Sequence, residues 1–211
     1  MRPEKKKLIQ IGCGLAFAIS LIIAEPVVGV PIKDPNPVLR SGDLFPSVSF
    51  PDSLTSEEKR YLAIGEKKTI YLEDIKAELI VIKFLNTNCV YCIKLLPIFY
   101  QIYQTIEENT ELREKIRIIG ISTGDTPAEL QALKDGHPVP YPVLLDPEFR
   151  VHRAVGEPRL PFIVVARKDK LSRWVVATVH IGLIFSAENF VGELKAILNI
   201  DPETLKLKNP L

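Results

Sequence analysis

The sequence predicts an α/β protein: a central mixed β-sheet with helices on both faces, preceded by an N-terminal hairpin. Three observations support this class. Residues 79–82 form a short, mostly β-branched apolar run that continues through residues 83–85, as expected of a strand buried on both faces. Apolar residues at helical spacing follow it directly. Strand-like and helix-like segments then alternate as far as residue 198, within a chain of 211 residues.

The N-terminus carries a positively charged region followed by a hydrophobic one. Arg2 and the lysines at 5–7 precede residues 8–24, which are apolar except for Gln10 and Ser20. This pattern predicts a signal peptide or signal anchor over residues 1–25. No strong cleavage site follows, so an uncleaved anchor that contacts the membrane through residues 8–24 is favoured. The basic N-terminal side then places the rest of the chain outside the cytoplasm.

The remaining boundaries follow from composition. Frequent prolines predict an extended, semi-rigid linker over residues 26–41. The folded domain is assigned to residues 42–198 and a C-terminal tail to 199–211. Cys13 lies inside the hydrophobic N-terminal segment and is interpreted as an ordinary apolar residue of that segment.

The domain begins with a predicted hairpin formed by residues 48–50 and 69–72. Between its arms, Thr55 and Glu58 have the spacing of a capping box, which predicts a helix start. After the strand at 79–85, a helix is expected to run to about Asn109, bent by Pro97.

The second half of the domain continues the alternation. Thr126 and Pro127 predict the N-cap and first residue of a helix that ends near Gly136. Strands are predicted at 116–122 and 142–145, a short helix at 147–155, an antiparallel pair at 162–166 and 175–181, and a final helix at 187–198.

Two cysteines, Cys89 and Cys92, lie where the buried strand ends and the next helix begins. Open α/β sheets place their chemistry at this carboxyl edge. Unpaired backbone N–H groups and the helix dipole lower the pKa of a cysteine at a helix N-terminus. Cys89 is therefore the predicted nucleophile, and Cys92 is placed to attack a mixed disulfide formed by Cys89. Together they predict a reversible two-electron switch.

Other uses of a cysteine pair fit the sequence less well. A structural zinc site needs four ligands, and a covalent haem site needs a histidine where Ile93 stands. An inert disulfide that closes so short a loop would add little stability. No metal or organic cofactor is expected. The net charge of +1 argues against a nucleic-acid partner, which would require a basic stripe.

Several segments, in this order, resemble those of a known superfamily. They are GDLFP at 42–46, KTIYLEDI at 68–75, the cysteine pair, Pro97, YPVLLD at 141–146 and LPFIV at 160–164. Over about residues 42–198 the chain resembles the thioredoxin superfamily, in particular its membrane-tethered TlpA-like and redoxin-type branch. The resemblance implies a thioredoxin-like fold and a thiol–disulfide oxidoreductase.

The resemblance also implies roles for individual residues. Cys89 attacks and Cys92 resolves. A cis Leu160–Pro161 bond brings the Leu160 backbone beside Cys89, where it pairs with an extended substrate segment. Val90 and Tyr91, between the cysteines, are expected to contact the substrate. The implied partners are disulfide-bearing exported proteins and a membrane electron carrier that resets the pair in the periplasm or another extracytoplasmic space.

Three positions depart from the family pattern. Asn88 stands where an aromatic residue is usual, and Leu95 stands where cytochrome-maturation reductases carry an acid. Lys83 occupies the place of a buried aspartate that accepts a proton. Lys83 and Asn88 are predicted to modulate the site. The Lys83 ammonium either reaches water beyond a packed stem or lies beneath the pair, where its charge favours thiolate rather than accepting a proton.

Two rival functions share this fold. Peroxiredoxins use Pro-x-x-x-Thr-x-x-Cys, whereas here Asn86 takes the threonine position, Thr87 is one residue late and the proline is absent. A copper-delivery protein would combine the cysteines with a histidine, and the candidates are His137, His152 and His180. Copper-delivery proteins of this fold usually separate their cysteines by three residues, not two, so oxidoreductase activity is preferred.

Overall fold

The computed structural model describes residues 38–206. The predicted signal segment 1–25, most of the linker 26–41 and the last five residues of the tail lie outside the described residues. The strands are β1 (Ser49–Pro51), β2 (Thr69–Tyr71), β3 (Leu79–Leu85), β4 (Ile116–Thr123), β5 (Val143–Asp146), β6 (Phe162–Lys168) and β7 (Trp174–Ile181). The helices are α1 (Ser56–Leu62), α2 (Val90–Lys94), α3 (Leu96–Glu108), α4 (Thr110–Lys115), α5 (Pro127–Gly136), α6 (Arg150–Ala154), α7 (Ala187–Leu198) and α8 (Pro202–Lys206).

The central sheet has five strands in the order β5-β4-β3-β6-β7. β3 runs parallel to β4, which runs parallel to β5, whereas β6 is antiparallel to both β3 and β7. All seven residues of the central strand β3 are buried, because helices or the hairpin cover both faces of the sheet. β1 and β2 pair separately as the expected antiparallel hairpin.

Alternate residues of β3 enter two hydrophobic cores. Leu79, Val81 and Leu85 pack in a cluster with residues of α3, α5 and α7. The intervening residues Ile80, Ile82 and Phe84 pack with residues of the hairpin, α1 and α6. The predicted mixed sheet with helices on both faces is therefore confirmed.

The helix that follows the cysteine pair is broken rather than only bent. α2 ends at Lys94, and α3 begins at Leu96 with Pro97 in its first turn, where the missing proline N–H needs no helical partner. Asn109 then adopts an extended backbone, which ends α3. Its side chain caps the unpredicted helix α4 by accepting from the Leu112 N–H. The predicted Thr126 cap of α5 is confirmed as a full capping box.

The predicted tail contains a further short helix, α8, whose Pro202 and Leu205 are buried. α8 contacts β7. Between residues 38 and 206, none of the helices has both the length and the hydropathy that a membrane span requires.

Candidate active site

Cys89 and Cys92 are joined in a disulfide, with 5.2 Å between their Cα atoms. Cys89 is the N-cap of α2 and is partly exposed, whereas the side chain of Cys92 is only 2% exposed. The backbone N–H of Cys92 donates to the Cys89 Sγ at 3.2 Å. Because this donor would also stabilise negative charge on that sulfur, the geometry favours a thiolate at Cys89 after reduction.

The loop before Cys89 is tied to the end of β4 by Asp125, whose residue is 1% exposed. Its carboxylate accepts from the Asn86 side-chain amide at 2.9 Å, from the Thr87 N–H at 3.0 Å and from the Thr87 hydroxyl at 2.7 Å. It also accepts from the Ser122 hydroxyl at 2.5 Å. Four donor groups thus satisfy one buried carboxylate.

Asp125 was not predicted as a site residue. The sequence did contain a signal for it, because Asp125 is a polar residue shortly after the buried strand at 116–122. Adjacent parallel strands bring their carboxyl ends to one edge of the sheet, so such a residue belongs to the edge that carries the cysteines. The same bonds involve the two residues that depart from the peroxiredoxin motif. The Thr87 hydroxyl donates to Asp125, and the Asn86 amide donates to Asp125 and to the Thr123 carbonyl oxygen.

Lys83 lies on β3 beneath the cysteine pair and is fully buried at 0% exposure. Its Nζ is 3.5 Å from the Cys92 carbonyl oxygen and 4.8 Å from the centre of the Phe99 ring. Burial lowers the pKa of Lys83 to about 7.

These facts decide between the two positions expected for Lys83. The expectation that its ammonium reaches water is wrong, because the side chain is fully buried. Lys83 takes the other expected position, beneath the cysteine pair.

The predicted substrate-contact residues lie at the same edge of the sheet. β6 begins with Phe162 opposite Phe84 of β3, so Leu160 and Pro161 lie beside the loop that leads to Cys89. The Leu160–Pro161 bond is cis, as expected, and the Pro161 carbonyl oxygen accepts from the Gly182 N–H at 2.9 Å. Leu160 is half-buried and Pro161 buried.

Several exposed apolar side chains lie at the edge of the sheet that carries Cys89. Val90 is 61% and Tyr91 58% exposed, and Asn88 is also exposed. Phe149, Ile181 and Phe185 are exposed as well, at or just beyond the ends of β5 and β7. Since Ile181 pairs with Phe162, the end of β7 belongs to the cysteine edge. We call these five apolar residues the apolar rim.

Two of the three histidines considered for copper, His152 and His180, have other contacts. His152 Nε2 lies 2.9 Å from the Pro158 carbonyl oxygen, and His180 Nε2 lies 3.1 Å from a Glu193 carboxylate oxygen. Within residues 38–206, no group of three or more histidine, cysteine or acidic residues is arranged to hold a metal ion.

The sequence of residues 43–171 matches that of the AhpC/TSA family. The chain belongs to the AhpC/TSA family. A comparison with curated proteins gives no match.

Solved structures similar to this AhpC/TSA family member have a thioredoxin-like fold. A proposed thiol:disulfide interchange protein DsbE from Chlorobium tepidum aligns with a TM-score of 0.58 at 17% identity, covering 76% of this chain and 99% of that one. The thioredoxin domain of a Bacteroides vulgatus thiol-disulfide oxidoreductase gives 0.57 at 13% identity, with coverages of 76% and 99%. A thiol:disulfide interchange protein from Bacteroides sp. gives 0.55 at 14% identity, with coverages of 77% and 92%. At these identities the likeness establishes the thioredoxin-like fold expected from the sequence.

Proposed function

We propose that this protein is a thiol–disulfide oxidoreductase that exchanges its Cys89/Cys92 dithiol with disulfides of exported proteins. The observation that carries the proposal is the bonded cysteine pair at the carboxyl edge of the sheet, with one sulfur-bearing residue partly exposed and the other buried. This asymmetry supports different roles for two chemically identical groups. Similar solved structures are described as thiol–disulfide oxidoreductases, which supports the same reaction class.

The reaction balances within the two cysteines and the client. The Cys89 thiolate attacks one sulfur of a client disulfide, and one client thiolate leaves. Cys92 then attacks the Cys89 sulfur of the mixed disulfide, so that the Cys89–Cys92 bond forms and the second client thiolate leaves. The cysteine pair loses two electrons and the client gains them. A dithiol carrier returns the pair to the reduced state by the reverse exchange.

The apolar rim supports a protein client rather than a small polar thiol. Its side chains offer contacts to an extended apolar segment on either side of the client cysteine, and such segments are accessible in exported chains that have not finished folding. Leu160 and Pro161 lie beside this surface and are the proposed contacts for the client backbone.

The proposed location is outside the cytoplasm, at the membrane. It rests on the basic residues and the apolar stretch of the N-terminal 25 residues. A membrane electron carrier of the dithiol class then has direct access to the oxidised pair.

The roles of the two cysteines are tested by trapping. In a Cys13→Ser background, Cys92→Ser should accumulate mixed disulfides with client proteins, because Cys89 can attack but nothing resolves the product. Cys89→Ser should accumulate none, because the remaining thiol is buried. Non-reducing gels with and without dithiothreitol measure the adducts. Equal adducts from both variants, or adducts only from Cys89→Ser, would refute the assignment.

A further inference from the structure

Asn86 connects the end of β4 to the turn that carries Cys89. Its side-chain nitrogen donates to the Thr123 carbonyl oxygen at 2.8 Å and to the Asp125 carboxylate at 2.9 Å. Its side-chain oxygen accepts from the Asn88 N–H at 2.9 Å, and its backbone carbonyl oxygen accepts from the Cys89 N–H at 3.1 Å. One residue therefore fixes the turn before the cysteine against the neighbouring strand.

The identity of this residue matters because each group of the Asn86 side chain faces a partner of opposite character. The amide nitrogen faces two acceptors, and the amide oxygen faces a donor. An amide supplies two donor hydrogens and an acceptor oxygen at once. Aspartate has the same shape but no donor, so it would set a carboxylate oxygen against the Thr123 carbonyl and the Asp125 carboxylate. Alanine would remove all three side-chain bonds.

The hydrogen bonds of Asn86 involve neither sulfur atom, so opening the disulfide removes none of them. Cys89 is the N-cap of α2 with φ −85° and ψ 105°, and its Sγ accepts from the Cys92 N–H at 3.2 Å. That contact depends on the backbone conformation of Cys89. Asn86 accepts from the N–H groups of Asn88 and Cys89, so it fixes this conformation from the N-terminal side.

We propose that Asn86 is a positioning residue that keeps the Cys89 sulfur in contact with the Cys92 N–H while the pair is reduced. The thiolate of Cys89 then meets a backbone donor as soon as it forms, and this donor stabilises its charge. Without the Asn86 side chain the turn relaxes, the contact weakens and less thiolate is present. The inference rests on the proposed function, because it concerns the thiolate that attacks the client disulfide.

Substitution of Asn86 by alanine leaves the titratable groups around Cys89 in place. They are Cys92, Tyr91 and Lys94 on α2, Lys83 on β3, Asp125 after β4 and Arg159 before Leu160. A changed pH profile of Cys89 in Asn86→Ala therefore reports the position of its sulfur relative to the Cys92 N–H, rather than a charge gained or lost nearby.

The test measures the rate at which iodoacetamide alkylates Cys89 between pH 4 and pH 10. The full chain carries Cys13→Ser and Cys92→Ser, so that Cys89 is the single thiol and the Cys92 backbone N–H is retained. The rate follows the thiolate fraction. Asn86→Ala should move the midpoint of the profile upward by about 0.5 to 1 pH unit, toward about 8.5, the value of an ordinary thiol. Below both midpoints alkylation should be roughly three- to tenfold slower, because part of a hydrogen bond to a charged group is lost.

The matched control is Asn109→Ala at the far end of α3. Exposed Asn109 also has a structural role, because its side chain accepts from the Leu112 N–H and caps α4. Its loss should lower stability but leave the alkylation midpoint within about 0.2 pH units. Equal midpoints in Asn86→Ala and its parent, or equal shifts in both asparagine variants, would overturn the inference.

Should Asn86→Ala fail to fold, the parent profile decides alone. A parent midpoint at or above about 8.5 would mean that the positioned sulfur gains nothing from its donor, and it would overturn the inference as well. Failure of the Cys92→Ser chain to form mixed disulfides with clients would instead overturn the proposed function.

Discussion

At the scale of single residues, the buried Lys83 occupies a destabilising position. Moving an ammonium into the apolar layer between β3 and α3 is unfavourable, so burial lowers the pKa of the Lys83 side chain. Lys83→Met removes this penalty and keeps a side chain of similar length. The variant should therefore be more stable than the wild type.

The stability gain of Lys83→Met should depend on pH in a defined direction. The pKa of Lys83 is about 7 in the folded protein and about 10.4 in the unfolded chain, so the unfolded chain binds more protons between these values. Wild-type stability contributed by this group thus rises with pH across that window. The gain from Lys83→Met should be largest below pH 7, on the order of 4 kcal/mol at 1.36 kcal/mol per pKa unit, and small at pH 10.

Urea unfolding of the oxidised proteins at pH 6, 8 and 10 measures this trend, with Lys170→Met as the control for loss of an exposed lysine. A gain for Lys83→Met that is equal at pH 6 and pH 10 would show that the pKa of Lys83 is not depressed.

Cys89 and Lys83 differ in how far the sequence reveals them. The cysteine pair at the strand–helix junction is predicted by the spacing of the two cysteines and by the buried strand before them, and the structure has the pair and the junction where they are predicted. The position of Lys83 on the Cys92 face also follows from the alternation of β3. The complete burial of Lys83 is not predicted by the sequence, because it depends on how α3 brings the Phe99 ring over the amine. This contact joins two segments of the chain, and no local sequence pattern relates them.

At the scale of elements, the loop between β3 and α2 is held by a bond network rather than by apolar packing. Asp125 receives hydrogen bonds from this loop and from Ser122 of β4. Asp125→Ala would leave several buried donors without a partner, so the free energy of unfolding should fall by about 3 kcal/mol. Urea unfolding at neutral pH measures the change.

Asp125→Asn separates the loss of charge from the loss of shape. It keeps one acceptor oxygen but turns a donor toward the Thr87 N–H and the Ser122 hydroxyl. The free energy of unfolding should therefore fall, but by less than in Asp125→Ala. Asp135→Ala is the matched control on α5, because exposed Asp135 accepts one bond from Gln131. Its effect should stay within about 0.5 kcal/mol. Equal effects at positions 125 and 135 would contradict the role given to the network.

Helix boundaries show where sequence patterns reach their limit. The apolar spacing after Cys92 continues through Leu95, so it predicts one bent helix, whereas the chain forms α2 and α3 with a break there. Similarly, α6 begins at Arg150 rather than at 147. Phe149 adopts a left-handed backbone, and the Asp146 carboxylate accepts from the N–H groups of Val151 and His152. The first break coincides with Pro97 in the first turn of α3, and the second with the bonds to the Asp146 carboxylate; periodicity encodes neither.

At the scale of the whole molecule, the topology collects chemistry and recognition at one edge. The carboxyl ends of β3, β4 and β5, the start of β6 and the end of β7 meet there. They bring together Cys89, Asp125, the apolar rim and the segment at Leu160. The sequence predicts the position of Cys89 at this edge, and its resemblance to the thioredoxin superfamily implies that of Leu160. It does not predict Asp125 as a site residue, nor the apolar rim, whose residues come from α2 and from the ends of β5 and β7.

The placement of this edge relative to the membrane gives the last prediction. Basic residues ahead of the apolar stretch 8–24 predict that Cys89 faces the outside of the cytoplasmic membrane. In a Cys13→Ser, Cys92→Ser chain, Cys89 is the single thiol. A membrane-impermeant maleimide applied to intact spheroplasts after mild reduction should label it as fully as in lysed cells. Labelling only after lysis would place the pair in the cytoplasm, where exported disulfide proteins are not the substrates. The same chain without residues 1–25 provides the control for a cytoplasmic thiol, since it should be labelled only after lysis.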